Sequence, residues 1–192
     1  MFQKQLKSAF LVFLLLTVIT GIIYPSVITA IAQIFFHHPA NGSIVLKDGK
    51  PIGSSLIGQP FEDPKYFWGR LSATSPVAFN ASASSGSNLG PLNAALRQSA
   101  EVRIKLLKNA DPENKSLIPV DLVTASASGL DPHISIAAAL YQVPRVARLR
   151  GISQEKVAEI VRENTQGRFS GVFGEPVVNV LQLNMALDKY KR

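Results

Sequence analysis

No cysteine occurs in the 192 residues, which excludes a disulfide framework, a thiol nucleophile and any cysteine-ligated zinc or iron–sulfur centre. Charge is sparse as well. Asp, Glu, Lys and Arg together make up 17% of the chain, and residues 8–46 contain none of the four. Acids are the scarcer sign, 13 against 20 Lys and Arg, which leaves a formal charge of +7. The 12 prolines and 13 glycines follow no period, which rules out a collagen-like chain. That distribution, with 46% hydrophobic residues, also argues against wholesale disorder. Established catalytic spacings are also missing: there is no G-x-x-x-x-G-K-[ST], no G-x-G-x-x-G after a strand, no H-E-x-x-H and no G-x-S-x-G.

What fills the uncharged stretch is apolar. Residues 9–23 are almost wholly hydrophobic, Tyr24 and Pro25 interrupt, and residues 27–36 are hydrophobic again. As one helix over residues 9–36 this is about 42 Å, where about 30 Å of hydrocarbon must be crossed. The length predicts a transmembrane helix, with a kink at Pro25 because proline lacks the N–H of the helical ladder, and with Thr20 or Thr29 helping to satisfy the backbone. Lys4 and Lys7 without an acid beside them place residues 1–8 in the cytoplasm and residues 37–192 outside by the positive-inside rule. A cleaved signal peptide competes with the retained anchor, since Ala30-Ile31-Ala32 offers an A-x-A site. In that alternative a secreted binding or hydrolytic domain is released near Ala32. Either way the bulk of the chain is exported.

The exported part reads as a single α+β domain. Asp48-Gly49 between two short apolar runs spells a β-hairpin, with Pro51 confining the second arm to an edge. Phe61, Tyr66, Phe67 and Trp68 crowd into eight residues and read as a core cluster closing over the hairpin in preference to an exposed binding platform. Residues 78–90 are a loop of Ala, Ser, Gly and Asn. Pro91 opens a helix whose Leu92, Ala95, Leu96, Val102 and Leu106 face a core. Residues 118–123 read as a strand. Asp131-Pro132 has the grammar of a helix start, Pro144 of a restart, Gly151 of a stop and Ser153 of a cap, with Gly167 ending that next helix. Residues 177–187 read as a strand turning into a helix.

Ser126, Ser128, Asp131 and His133 hold the residue types of a hydrolytic triad, but Asp131 is better explained as a cap. His37 and His38 are adjacent, so their side chains do not converge on one metal ion. Arg145, Arg148 and Arg150 are interleaved with no aromatics, and an exported domain meets little nucleic acid; solvated charges or contacts to an acidic partner fit better.

Five runs together carry a resemblance: Tyr66-Phe67-Trp68-Gly69-Arg70, Ser85-Gly86-Ser87-Asn88-Leu89-Gly90-Pro91, Ser128-Gly129-Leu130-Asp131-Pro132-His133-Ile134-Ser135, Gln142-Val143-Pro144-Arg145-Val146-Ala147 and Val177-Val178-Asn179-Val180-Leu181-Gln182-Leu183-Asn184. In this order they make the chain resemble the KdpC family, the small C subunits of bacterial Kdp potassium-transporting P-type ATPases, over nearly its whole length. The resemblance implies an accessory subunit of a complex in the bacterial inner membrane that imports potassium at the expense of ATP. Its partners would be a channel-like potassium-translocating subunit and a P-type ATPase subunit, besides the lipid bilayer, with no nucleic acid. The family is described as a catalytic chaperone raising the ATP affinity of the ATPase subunit, and as an assembly factor. ATP is implied for the complex, and no cofactor is assigned to this chain.

The likeness favours a retained anchor. It also meets a difficulty, because ATP sites of such pumps are cytoplasmic whereas Lys4 and Lys7 put this domain outside. The reading that reconciles them packs the domain on the channel-like subunit, with any influence on ATP use transmitted across the membrane. Candidate ligand or partner contacts are Ser87, Asn88, Asp131, His133, Gln142, Arg145, Asn179 and Asn184, with Gln142 and Arg145 foremost. No catalytic residue and no metal site is assigned. Two positions depart from the family pattern: Leu92 stands where Thr is usual, and Ile136 where Pro often follows Ile-Ser.

Overall fold

The computed structural model describes residues 2–190 and divides into two units, Met1–Ile44 and Val45–Arg192. Met1 of the expected cytoplasmic flank and Lys191 and Arg192 of the expected domain lie outside the described residues.

The first unit is a helix running from Phe2 to Phe35 without interruption, long and apolar enough to cross a membrane. At roughly 1.5 Å per residue it measures about 51 Å, longer than the about 30 Å of a bilayer's hydrocarbon layer. It comprises α1 (Phe2–Val18), a π-helical turn (Ile19–Ile23) and α2 (Tyr24–Phe35). Pro25 follows directly on that widened turn, where the Tyr24 N–H reaches back five residues to the Ile19 carbonyl. A widened turn suits proline, whose ring would clash with the carbonyl four residues earlier in a regular α-helix. The Thr17 and Thr20 hydroxyls donate to the carbonyls of Phe13 and Leu16, at 2.8 and 2.7 Å. Thr20 therefore serves the turn before it rather than the carbonyl that Pro25 vacates. A short helix α3 (His37–Ala40) closes the unit. There the Asn41 amide donates to the His37 carbonyl at 2.7 Å and to the Gln33 side chain at 3.1 Å.

The second unit is the mixed helix and strand domain that the sequence predicts. Its first element is a hairpin of β1 (Ile44–Lys47) and β2 (Lys50–Ser54). Asp48 and Gly49 at its turn have φ of 52° and 75°, the two positive angles of a type I′ turn. A three-stranded antiparallel sheet in the order β3 (His133–Ser135), β5 (Val177–Asn179), β4 (Thr165–Gln166) forms the centre. Against it pack α5 (Ile136–Arg150) and α7 (Val180–Lys189), and α6 (Gln154–Glu163) packs on both helices. The core is built from Phe67, Trp68, Leu122, Ile134, Val146, Val157, Val161, Val178, Leu183 and Leu187, with α4 (Ala94–Ala110) contributing Leu107.

Several expectations are corrected. Residues 118–123 are not a strand: Val120–Leu122 is a 3-10 turn. The Asp121 carboxylate accepts from the Ser135 N–H at 2.7 Å instead of leaving an edge to pair. Asp131 does not cap a helix. It accepts from the His133 N–H two residues on, at 3.0 Å, and residues 133–135 are drawn into the sheet opposite β5, so Ser135 becomes the N-cap of α5. Pro144 lies inside α5 rather than restarting it.

Helix α6 ends at Asn164, not Gly167. The Asn164 and Thr165 side chains bond the Ile160 and Val161 carbonyls, each at 2.8 Å. Helix α4 starts after Pro91, at Ala94 under an Asn93 cap, which leaves Leu92 outside it and fully exposed, and its apolar face is incompletely covered, with Val102 60% and Leu106 44% exposed. Residues 167–176 connect β4 to β5 as a projecting arm, in which Phe169 and Phe173 form a bridged pair.

Candidate functional site

The densest polar construction surrounds residues 66–70, an otherwise irregular segment threaded between α5 and α7. Asn184 on α7 clamps Phe67: the Phe67 N–H donates to Asn184 Oδ1 at 2.9 Å, and Asn184 Nδ2 donates to the Phe67 carbonyl at 3.0 Å. Gln142 on α5 does the same for Trp68, accepting from its N–H at 2.8 Å and donating to its carbonyl at 3.1 Å. The backbone N–H and carbonyl groups of two successive residues that no strand pairs are thus satisfied by two side-chain amides, as burial requires.

Arg145 lies 2% exposed and completes the arrangement. It donates to Gln142 Oε1 at 2.6 Å, to the Tyr66 carbonyl at 3.0 Å and to the Pro64 carbonyl. Its guanidinium sits 4.3 Å from the Trp68 ring centre, with Arg103 at 5.3 Å from the same ring. Burial lowers the Arg145 pKa to about 10, still well above neutrality, so the group is charged at physiological pH. Arg103, bonded to the carbonyls of Gly69 and Leu122 at 3.0 and 3.1 Å, is likewise lowered by burial.

A second polar centre adjoins this segment. Arg70 donates to Asp131 Oδ2 at 3.1 Å and to the Ala125 carbonyl at 3.2 Å. Asp131 Oδ1 also takes His133 Nδ1, at 3.3 Å. Burial alone would raise the Asp131 carboxyl, but the bonds from His133 and the charge of Arg70 outweigh it and hold the group below its usual range. A depression of about 520 Å³ opens here, bounded by Leu56, Arg70, Ser126, Ser128 and Asp131. Ser128 Oγ accepts from the Leu130 N–H at 3.1 Å, the buried Ser126 Oγ has no hydrogen-bond partner among the described residues, and neither serine is bonded to His133 there.

The loop at residues 126–130 is held on three sides. Ser85 N–H donates to the Ser128 carbonyl at 3.0 Å, Ser72 Oγ to the Gly129 carbonyl at 2.7 Å, and Gly58 N–H to the Leu130 carbonyl at 2.8 Å. Glycine is required at two of these contacts. A Cβ on Gly86 would lie 2.6 Å from the Ala127 carbonyl oxygen, and one on Gly129, whose φ is +68°, 2.6 Å from that of Ser85.

Comparison with known proteins decides the family. The family described as KdpC, K+-transporting ATPase, c chain, matches residues 6–189. The chain belongs to the KdpC family.

Relatives named potassium-transporting ATPase KdpC subunit agree with it end to end. The protein from Dechloromonas aromatica is 60% identical over 99% of this chain and 100% of its own length. That from Ralstonia nicotianae is 59% identical over 97% and 91%, and that from Methylococcus capsulatus 59% over 96% and 97%.

The runs that carry the KdpC resemblance converge in space. Residues 66–70 are clamped by Gln142 and Asn184, Ser85 bonds Ser128, and His133 lies opposite Asn179 in the sheet. Of the candidate residues, Gln142, Arg145, Asn179 and Asn184 are buried and bonded within the chain. Asn179 caps α7 through the Gln182 N–H at 3.1 Å and donates to the Ser55 carbonyl at 2.8 Å. Asp131 and His133 are half-buried, whereas Ser87 and Asn88 are exposed, Asn88 in the left-handed region at φ 51°. Ser87 lies at the rim of a groove of about 530 Å³ beside Leu96, Val102 and Leu106 of α4.

Of the arginine trio, Arg145 is buried and Arg150 largely covered, whereas Arg148 stays exposed. Besides Arg145, Arg148 pairs with Asp111 at 2.7 Å and Arg150 with Asp188 at 3.0 Å. Sequence reading missed Arg103 and Asp188. Asp188 collects Lys47, Arg150 and the Tyr66 hydroxyl at 3.1, 3.0 and 3.2 Å. Its only trace in the sequence is an acid following the apolar face of a helix.

Proposed function

We propose that this chain is the accessory C subunit of an ATP-driven potassium import complex. It is held in the bacterial inner membrane by its N-terminal helix, with the domain outside and packed on the channel-like potassium-translocating subunit, and it acts together with a P-type ATPase subunit. The observation that carries this reading is the end-to-end family match, which takes in the apolar helix as well as the domain. Retention of the anchor is supported by the helix running unbroken through Ala30-Ile31-Ala32 to Phe35, where a signal peptide would be cut. Lys4 and Lys7 support the orientation. The rigid clamp around residues 66–70 fits a domain that supports assembly and transport by shape rather than by chemistry of its own. Influence on ATP use then passes across the bilayer as coupling between sites.

The test is gentle detergent purification of the tagged full-length chain from its native host, with its intact mass and a reporter fused at the C-terminus. The expected result is full mass, two large membrane subunits in the same fraction, and reporter activity only outside the cytoplasm. A lone protein beginning at Gln33 would replace this reading with a secreted domain, and a cytoplasmic reporter signal would reverse the orientation.

A further inference from the structure

The arm between β4 and β5 exposes more apolar surface than its size warrants. Phe169, Val172 and Phe173 are 77%, 69% and 68% exposed. They do not hang loosely: the Phe169 N–H donates to the Phe173 carbonyl at 2.8 Å and the Phe173 N–H to the Phe169 carbonyl at 3.0 Å. Residues that exchange both bonds across an antiparallel pair point their side chains to the same side, about 5.5 Å apart at Cα. Ser170 and Gly171, with φ of 52° and 74°, turn the chain between them. Residues 169–174 carry no charge, and the neck of the arm is closed by Arg168 bonded to both oxygens of Glu175, at 3.0 and 2.9 Å.

We infer that this aromatic tip inserts into the headgroup zone of a lipid bilayer, giving the domain a second, non-covalent attachment to the membrane. The inference rests on the reading of the N-terminal helix as a retained span. Three arguments favour lipid. First, only residues 36–43 separate the span from β1, a tether of at most about 28 Å. A domain of 148 residues has a radius of gyration near 15 Å and a width of about 40 Å, so it cannot leave the membrane by more than its own size. Second, the three side chains expose roughly 400 Å², half of the approximately 800 Å² that each side of a stable protein interface buries. Third, phenylalanine is among the residues that membrane-surface segments bury at the headgroup–acyl boundary, and on this convex, uncharged tip the rings offer no directional polar groups to a protein partner.

Because this chain has no cysteine, an introduced thiol is its single label, and the complex without the substitution gives the background from the other subunits. Val172→Cys in the full chain is labelled with an environment-sensitive fluorophore, in the complex with which it purifies. The complex is reconstituted in nanodiscs of phosphatidylethanolamine and phosphatidylglycerol carrying a spin label near the headgroup. Phe35→Cys reports the span and Glu113→Cys an exposed polar loop, while Trp68 fluorescence of each variant chain taken alone in mild detergent reports its fold.

The expected result is several-fold stronger quenching at 172 than at 113, unaffected by salt and abolished when Phe169→Asn and Phe173→Asn are added. Quenching at 35 without quenching at 172 would overturn the insertion and leave the anchor standing. Quenching at neither position would remove the anchor reading and this inference together. A label at 172 shielded from aqueous iodide yet untouched by the lipid quencher would assign the tip to a protein partner. Quenching that survives the asparagine substitutions would trace it to the dye, and either result overturns the proposal.

Discussion

Asn184 and Gln142 illustrate what a single side chain does in this domain. Each stands among apolar neighbours on its helix and spends both ends of its amide on the N–H and carbonyl of one distant residue. Truncating Asn184 leaves a buried N–H and a buried carbonyl unpaired. At about 1–3 kcal/mol for an abandoned buried group, Asn184→Ala should lose about 2–3 kcal/mol of domain stability. The measurement is denaturant unfolding of the full chain in mild detergent, followed by Trp68 fluorescence; an unmoved midpoint would show that the clamp contributes nothing. The sequence marks both residues as polar interruptions of apolar runs, so their importance was visible. Their partner was not, because Phe67 lies 117 positions from Asn184 and no local pattern connects them. The same holds for Arg145, which reads as a surface charge until the fold buries it against Trp68.

At the level of elements, the legible features are those fixed by adjacent residues. The positive φ angles of Asp48 and Gly49, the left-handed Gly151 and the Ser153 cap all follow from local chemistry. Residues 118–123 and 131–135 were misread because their conformation is set by partners elsewhere: Asp121 serves Ser135, and β3 exists only opposite β5. Helix α4 misled for a related reason, since periodicity defines an apolar face without saying that anything covers it.

Asp188 joins three elements, holding Lys47 of β1, Arg150 at the end of α5 and Tyr66 beside the clamp. Burial would raise its pKa, but the bonds from Lys47, Arg150 and Tyr66 prevail and hold it below its ordinary value of 3.8. A group depressed on folding contributes stability above its unfolded pKa and loses it as pH falls through the folded one. With both partners of Lys47–Asp188 partly solvated, Asp188→Asn should cost about 1 kcal/mol at neutral pH. The difference from the parent should close in acid below the ordinary carboxylate range. Unfolding curves across pH measure this, and a gap that persists in acid would show that packing rather than charge is responsible.

For the whole molecule, the most telling signal was where charge is absent. An uncharged stretch at one end and mixed periodicities beyond it sufficed to divide the chain into an apolar helix and an α+β domain. Sequence patterning could not reveal that the helix passes Pro25 through a π turn, since a widened turn has no signature beyond the proline that calls for it. That turn holds one residue more than the α-helix needs, about 100° of rotation, so the halves of the span are keyed to two different faces. Removing Ile22 alone would leave Pro25 without its wide turn, and Pro25→Ala alone would leave a surplus residue that throws the halves out of phase. The two edits together should cancel, restoring a plain helix with both faces in place. Yield of the purified complex measures this, with a loss for either edit and recovery for the pair; recovery absent in the pair would mean that the proline itself, not the phase it sets, is what the membrane partners read.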